Sequence, residues 1–169
     1  PLIALDRNVP PGTVLTVMGP SGVGKSTLLS YLIGTLDPAF TARGRVILNG
    51  RDVTGLPTAR RGMGILFQDD LLFPHLSVGG NLAFGLAGGD RAARRDRIAA
   101  ALDEVGLAGF ENRDPATLSG GQRARVSLMR MLLADPHALL LDEAFSRLDA
   151  ARRESTRAMV FDTARARSL

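Results

Sequence analysis

The sequence predicts an α/β fold in which a largely parallel sheet is flanked by helices. Short apolar runs typical of strands alternate with stretches of helical apolar spacing along the 169 residues. Two of the predicted strands have polar residues at their carboxyl ends. The strand over residues 64–68 ends at Gln68, and the strand over residues 138–141 is followed by Asp142 and Glu143. Residues 138–141 are apolar throughout, which predicts a fully buried strand that carries two acids at its end.

The composition indicates one globular domain with a substantial core, because 45% of the residues are hydrophobic and 22% are charged. The sequence contains no cysteine, which excludes disulfides, thiolate metal sites and a cysteine nucleophile. Two histidines are too few for a histidine-built metal site. No apolar run approaches membrane-spanning length and no signal peptide opens the chain, so we expect a cytosolic protein.

The net charge of +4 raises the question of nucleic-acid binding. The arginines of residues 90–104 are interspersed with acids, however, and mixed signs at these spacings are typical of solvated helix faces. The charge pattern therefore argues against a nucleic-acid partner.

The first predicted unit is a strand, a glycine-rich loop and a helix. Pro10, Pro11 and Gly12 predict a turn before a strand over residues 14–18, and residues 27–33 have helical spacing that ends at Gly34. The loop between them fits G-x-x-x-x-G-K-[ST] without a mismatch. Its members are Gly19, Pro20, Ser21, Gly22, Val23, Gly24, Lys25, Ser26 and Thr27.

This pattern predicts a phosphate-binding loop, because glycines let backbone N–H groups approach a phosphate at a helix N-terminus. Lys25 is then expected to contact the β- and γ-phosphates, and the Ser26 hydroxyl to ligate Mg²⁺. Lys25 is the only lysine among 21 basic residues, and an ammonium fits between two phosphates where a planar guanidinium does not. A glycine-rich turn without a ligand is the alternative, and nucleotide kinases carry very similar loops.

The middle of the chain predicts a strand over residues 44–50 that closes in an Asn49-Gly50 turn. Helical spacing follows from residue 77 to 106, with a short helix over residues 81–86 and a longer one capped by Asp90. A further helix starts at Ser119 and ends before Asp135-Pro136, and a last helix starts near Asp149.

The stretch Leu118, Ser119, Gly120, Gly121 and Gln122 resembles the L-S-G-G-Q signature of the ATP-binding cassette (ABC) ATPases. Ser119 and Gln122 also form a capping box, which predicts a helix start. A capping box does not account for two glycines in the first turn, each of which costs up to about 1 kcal/mol relative to alanine. We expect this stretch to be both a helix start and a nucleotide-binding signature.

The resemblance covers nearly the whole chain and implies further roles. It implies that Gln68 is the Q-loop glutamine, acting in catalysis and at the metal, and that Asp142 holds Mg²⁺. It implies that Glu143 is the general base. Residues 146–149 resemble the family's D-loop, with Arg147 as a departure, and for Asp149 a nucleotide-binding role and a helix-cap role are equally favoured.

The resemblance implies a P-loop NTPase (RecA-like) sheet with a small β-subdomain and an inserted helical subdomain. It divides one ATPase domain into residues 1–76 (P-loop and Q-loop), 77–118 (helical insertion) and 119–169 (signature, acidic strand and last helix). An adenine-stacking aromatic and a switch histidine of the family find no match, so we expect a chain truncated at both ends.

Residues 73–78 resemble the importer group, although Gly80 stands where those relatives usually have glutamate. The sequence thus predicts an ATP-hydrolysing subunit of an ABC transporter that uses ATP and Mg²⁺. Its expected partners are transmembrane permease subunits and a second copy in a head-to-tail dimer, at the cytoplasmic face of the membrane. The alternatives are a non-transporter ABC ATPase acting on nucleic acid or ribosomes, and a nucleotide kinase.

Overall fold

A computed structural model of the chain describes residues 3–67, 69, 71–146, 150–167 and 169. Five α-helices are formed within these residues: α1 Lys25–Ile33, α2 Val78–Gly85, α3 Arg91–Glu104, α4 Gly120–Leu132 and α5 Ala150–Ala166. The strands are β1 Ile47–Leu48, β2 Arg51–Asp52, β3 Met63–Leu66 and β4 Ala138–Leu141. Short 3-10 turns span Thr58–Arg60 and Pro115–Thr117. None of the helices described is both long and apolar enough to cross a membrane.

Strands β3 and β4 form a parallel pair, as the sequence predicts, in a register that places Met63 beside Ala138 and Leu66 beside Leu141. The Asp142 N–H donates to the Leu66 carbonyl at 2.9 Å and continues the ladder past β4. The prediction that residues 138–141 are fully buried is wrong, because all four are only half-buried. Within the described residues β4 pairs with β3 alone, so its other edge is not covered by a strand.

The predicted strand over residues 14–18 does not form among the described residues. Its side chains are exposed, Val14 by 54% and Met18 by 87%, and no described strand pairs with it. An extended segment without a ladder partner leaves its N–H and C=O groups to water, so apolar spacing alone did not produce a strand. The turn before it is present, since the N–H of Thr13 donates to the Pro10 carbonyl at 3.2 Å.

Strands β1 and β2 form an antiparallel hairpin around Asn49 and Gly50. Both turn residues have positive φ, 50° for Asn49 and 77° for Gly50, as a two-residue hairpin turn requires. The Asn-Gly turn predicted from the sequence is therefore confirmed, with shorter strands than the pattern suggested.

The main core lies where α2, α3 and α4 pack together and against β3 and α5. The Ser77 hydroxyl caps α2 by accepting from the Gly80 N–H at 3.1 Å, so this helix starts three residues before the predicted Asn81. The predicted cap of α3 is confirmed, because Asp90 accepts from the Ala93 N–H at 2.8 Å. The core residues described as fully or almost fully buried include Val78, Leu82, Leu102, Leu107, Val126, Leu128, Met129, Leu132 and Val160.

Arg61 is a buried arginine whose side chain binds the C-terminal end of α1. Its Nη1 donates to the Tyr31 and Leu32 carbonyls, both at 2.8 Å, and its Nε donates to Leu56 O at 2.9 Å. A cation at a helix C-terminus satisfies carbonyls that the helix leaves free and lies at the negative end of the helix dipole. Arg61 thereby anchors the helix whose other end carries the glycine-rich loop.

Candidate nucleotide-binding site

The loop before α1 has a backbone shape that only glycine adopts without strain. Gly22 has φ 81° and Gly24 has φ 102°, both in the left-handed region. Gly24 is the N-cap of α1 and makes no side-chain cap hydrogen bond, so the first amides of this helix are not capped by a side chain. A helix N-terminus with free amides and a positive dipole end is suited to bind an anion.

The Lys25 ammonium folds back over this loop. Its Nζ donates to the Gly19 carbonyl at 2.8 Å and to the Pro20 carbonyl at 2.9 Å. The cation therefore lies within the loop, on acceptors that phosphate oxygens can replace because they are stronger partners for an ammonium.

The hydroxyl of Ser26 donates to the Oδ1 atom of Asp142 at 2.8 Å, across 116 residues of sequence. Ser26 is brought there by the first turn of α1, and Asp142 follows the last residue of β4. Hydroxyl and carboxylate oxygens are the hard donors that Mg²⁺ prefers, and Mg²⁺ commonly takes one or two protein ligands together with phosphate oxygens and water. These two residues therefore fit a magnesium ion. No cluster of three or more acids and histidines that could hold a metal occurs in the described part of the chain.

Glu143 is exposed beside Asp142 and has an unusual backbone conformation. Its φ of 48° lies in the left-handed region, where a non-glycine residue is strained, and its carbonyl accepts from the Ser146 N–H at 2.9 Å. The chain thus turns sharply at Glu143, directly after the strand that delivers Asp142.

The predicted helix start at Ser119 is confirmed, because both hydrogen bonds of the capping box are formed. Ser119 Oγ accepts from the Gln122 N–H at 3.3 Å, and Gln122 Oε1 accepts from the Ser119 N–H at 2.9 Å. A Cβ atom added at Gly121 would meet no other atom within 4 Å, so packing within the fold does not require glycine there. The glycine leaves the first turn of α4 open to an approaching group.

The family model described as "ABC transporter" matches residues 2–146 of the chain. The chain belongs to the ABC transporter family. It is 53% identical over 166 residues to the uncharacterized ABC transporter ATP-binding protein YnjD of Escherichia coli (strain K12), a match that covers 98% of this chain and 76% of that protein.

Two import proteins of this ABC family are also similar. The sulfate/thiosulfate import ATP-binding protein CysA of Mycobacterium bovis is 49% identical over 156 residues, which cover 91% of this chain and 44% of CysA. The Fe(3+) ions import ATP-binding protein FbpC of Agrobacterium fabrum is 44% identical over 155 residues, which cover 90% of this chain and 43% of FbpC.

The chain thus spans less than half the length of these two import relatives. The matches confirm the predicted class, an ATP-binding subunit of an ABC transporter with import-type relatives. Membership of this family also implies the P-loop NTPase fold.

Two predicted site residues of the ABC assignment, Gln68 and Asp149, lie outside the described residues. The structure brings Lys25, Ser26 and Asp142 to one place, with Glu143 next to Asp142. Ser119 is bonded to Gln122 within its own helix start.

Sequence reasoning missed three residues that hold elements near the site: Arg61 at the C-terminal end of α1, and Asn81 and Arg130 at residues 71–76. Arg61 and Arg130 each bind a backbone carbonyl that is distant in sequence, which leaves no spacing pattern to find, whereas the bonds of Asn81 are local. The one available signal was Asn81, a polar residue inside an apolar helical pattern, and it is fully buried.

Proposed function

We propose that this chain binds MgATP at residues 19–27 and hydrolyses it as the energy-supplying subunit of a membrane transporter. The observation that carries the proposal is the hydrogen bond from Ser26 to Asp142, because it joins the phosphate loop to the acidic strand end. A glycine-rich turn without a ligand does not account for a hydroxyl and a carboxylate, those of Ser26 and Asp142, that meet at the N-terminus of a helix suited to bind an anion.

In this proposal the ammonium of Lys25 leaves the Gly19 and Pro20 carbonyls for the β- and γ-phosphates, while the free amides of α1 contact the β-phosphate. Ser26 and Asp142 hold Mg²⁺, with Gln68 as the further ligand that the family resemblance implies. When bound, the ion would neutralise part of the negative charge of the phosphates.

Glu143 is the proposed general base. A carboxylate that follows a metal-binding aspartate lies near the phosphate chain, and its exposed position leaves it accessible to the attacking water. Glu143 accepts a proton from that water as the bond between the water oxygen and the γ-phosphorus forms and the bond from the γ-phosphorus to the β,γ-bridging oxygen breaks, so that ADP and inorganic phosphate are released.

The signature at Ser119 is proposed to act on ATP held by a second copy of the chain. The first turn of α4 is open at Gly121, and the helix N-terminus attracts the γ-phosphate of a nucleotide presented by another protomer. Two copies arranged head to tail would then enclose two nucleotides, with Asp149 contributing at the same interface.

The transport partners are proposed to be permease subunits at the cytoplasmic face of the membrane, in an import system. The support comes from the names of the relatives and from the importer-like residues 73–78, in which the ring centre of Phe73 lies 4.7 Å from that of Phe84, a side chain 70% exposed on α2. The relatives name different cargoes, so the transported solute is not assigned. The division into residues 1–76, 77–118 and 119–169 remains part of this proposal.

The decisive test mixes two variants of the full-length protein, Lys25→Ala and Ser119→Arg. Each alone damages both composite sites and should be nearly inactive in phosphate release. A mixed dimer has one site with an intact P-loop and an intact signature, so mixing should restore ATP-dependent dimer closure and part of the hydrolysis. The trans assignment is wrong if heterodimers form and neither closure nor hydrolysis returns.

A further inference from the structure

Arg130 links α4 to the segment that follows β3. Its Nη1 donates to the Leu71 carbonyl at 2.9 Å and to Asn81 Oδ1 at 3.4 Å. Its guanidinium carbon lies 5.2 Å from the centre of the Phe73 ring, a distance at which the cation is attracted to the ring face. One side chain of α4 therefore contacts Leu71, Phe73 and Asn81, the α2 residue that holds Phe73.

The rest of this segment is held by Asn81, which is fully buried. Its side chain accepts from the Phe73 N–H at 2.8 Å and donates to the carbonyls of Phe73 at 3.1 Å and Leu76 at 3.3 Å. Leu71 lies beyond this network, is 56% exposed and has φ 46°, a conformation that is strained for a leucine. Among the described hydrogen bonds, the bond from Arg130 is the one that fixes the Leu71 carbonyl.

Arg130 also has a defined relation to the signature. It lies eleven residues after Ser119 on one continuous helix, which is about three turns and about 16 Å along the same face. The helix between them is packed through Val126, Leu128 and Met129, which are fully buried. Movement of the signature end of α4 therefore moves Arg130 as part of one rigid element.

We infer that Arg130 is a positioning residue that ties the segment over residues 71–76 to the signature helix. The inference rests on the proposed function, in which the signature contacts ATP and Gln68 lies three residues before Leu71. When α4 moves toward a nucleotide, Arg130 carries the segment after Gln68 with it. Loss of Arg130 leaves ATP binding at the P-loop intact but uncouples this segment from the signature.

The chemistry of the contact predicts which substitutions preserve it. Both hydrogen bonds come from the single atom Nη1, so the ammonium of a lysine can replace it. Methionine fills similar space without a donor, and glutamine is too short to span to Leu71. Arg130→Lys should therefore retain the function that Arg130→Met and Arg130→Gln lose.

The experiment measures ATP hydrolysis and amide hydrogen exchange in the full-length protein. In Arg130→Met we expect kcat to fall about tenfold or more while KM for ATP stays within about twofold, and the amides of residues 71–76 to exchange about tenfold faster. Arg130→Lys should stay within about threefold of the parent protein in both measurements. Arg130→Gln serves as a second variant that keeps a polar side chain at this position.

Arg94→Met is the matched control for a purely structural role. Arg94 also donates to backbone carbonyls, those of Ala83, Leu86 and Gly88, and so stabilises the same helical region without touching residues 71–76. It should lower the melting temperature without the selective loss of kcat or the faster exchange.

The inference is overturned if the Met and Gln variants keep kcat and exchange rates close to those of Arg94→Met. It is also overturned if neither variant folds while Arg94→Met does, because Arg130 is then a folding residue. The exchange measurement requires no nucleotide, so it tests the contact even if the parent protein hydrolyses no ATP, a result that would refute the proposed function instead.

Discussion

Replacing Lys25 with alanine tests the phosphate loop most directly, and the structure sets the size of the effect. In the free protein the ammonium makes two hydrogen bonds to neutral carbonyls, at 2.8 and 2.9 Å. Hydrogen bonds from charged groups contribute about 1.5–3 kcal/mol each, with anionic partners at the upper end. Exchanging two carbonyls for two phosphate oxygens therefore gains about 3 kcal/mol, and Lys25→Ala should weaken ATP binding about 150-fold.

The assay is titration with a fluorescent ATP analogue at fixed Mg²⁺. Arg95→Ala is the control, because it removes the same charge from an exposed position on α3 and should leave the affinity within about twofold. A folded Lys25→Ala protein whose dissociation constant stays within about threefold of the parent would show that Lys25 does not bind phosphate.

Three further outcomes are expected. Glu143→Gln should retain ATP affinity and release phosphate at least about 10²-fold more slowly, and near-normal turnover would assign the base elsewhere. Asp142→Asn should raise the Mg²⁺ concentration needed for half-maximal hydrolysis about tenfold or more, and an unchanged requirement would contradict the metal assignment. Gly85→Ala should destabilise the fold by about 1–3 kcal/mol, because its Cβ would collide with the Arg130 carbonyl. Calorimetry should then show a melting temperature about 2–12 °C lower, whereas Gly55→Ala, with no atom within 4 Å of its Cβ, should change little.

Local signals predicted local structure well. Ser119 with Gln122, Asp90 and the Asn49-Gly50 pair each specify a cap or turn through their own side chain or backbone preference, and each forms as expected. The assignment of Ser26 as a magnesium ligand stays a prediction, which the hydrogen bond from its hydroxyl to Asp142 supports.

Several features that depend on distant partners could not be predicted from the sequence. The apolar residues 14–18 have the pattern of a strand, but a strand needs a neighbour for its hydrogen bonds and the described residues provide none. Residues 138–141 read as fully buried because their pattern reports hydrophobicity, not how many neighbouring strands cover the sheet edge. Arg61 gave no signal either, because its acceptors Tyr31 and Leu32 lie about 30 residues away.

The bond between Ser26 and Asp142 makes the proposed metal site a late product of folding. Residues 116 apart must meet, and contacts between such distant residues form slowly compared with helices and hairpins. During synthesis the phosphate loop emerges well before the acid, so a growing chain acquires its two proposed magnesium ligands, Ser26 and Asp142, at different times. MgATP should consequently recognise the completed fold alone and shift the folding equilibrium toward it as its concentration rises.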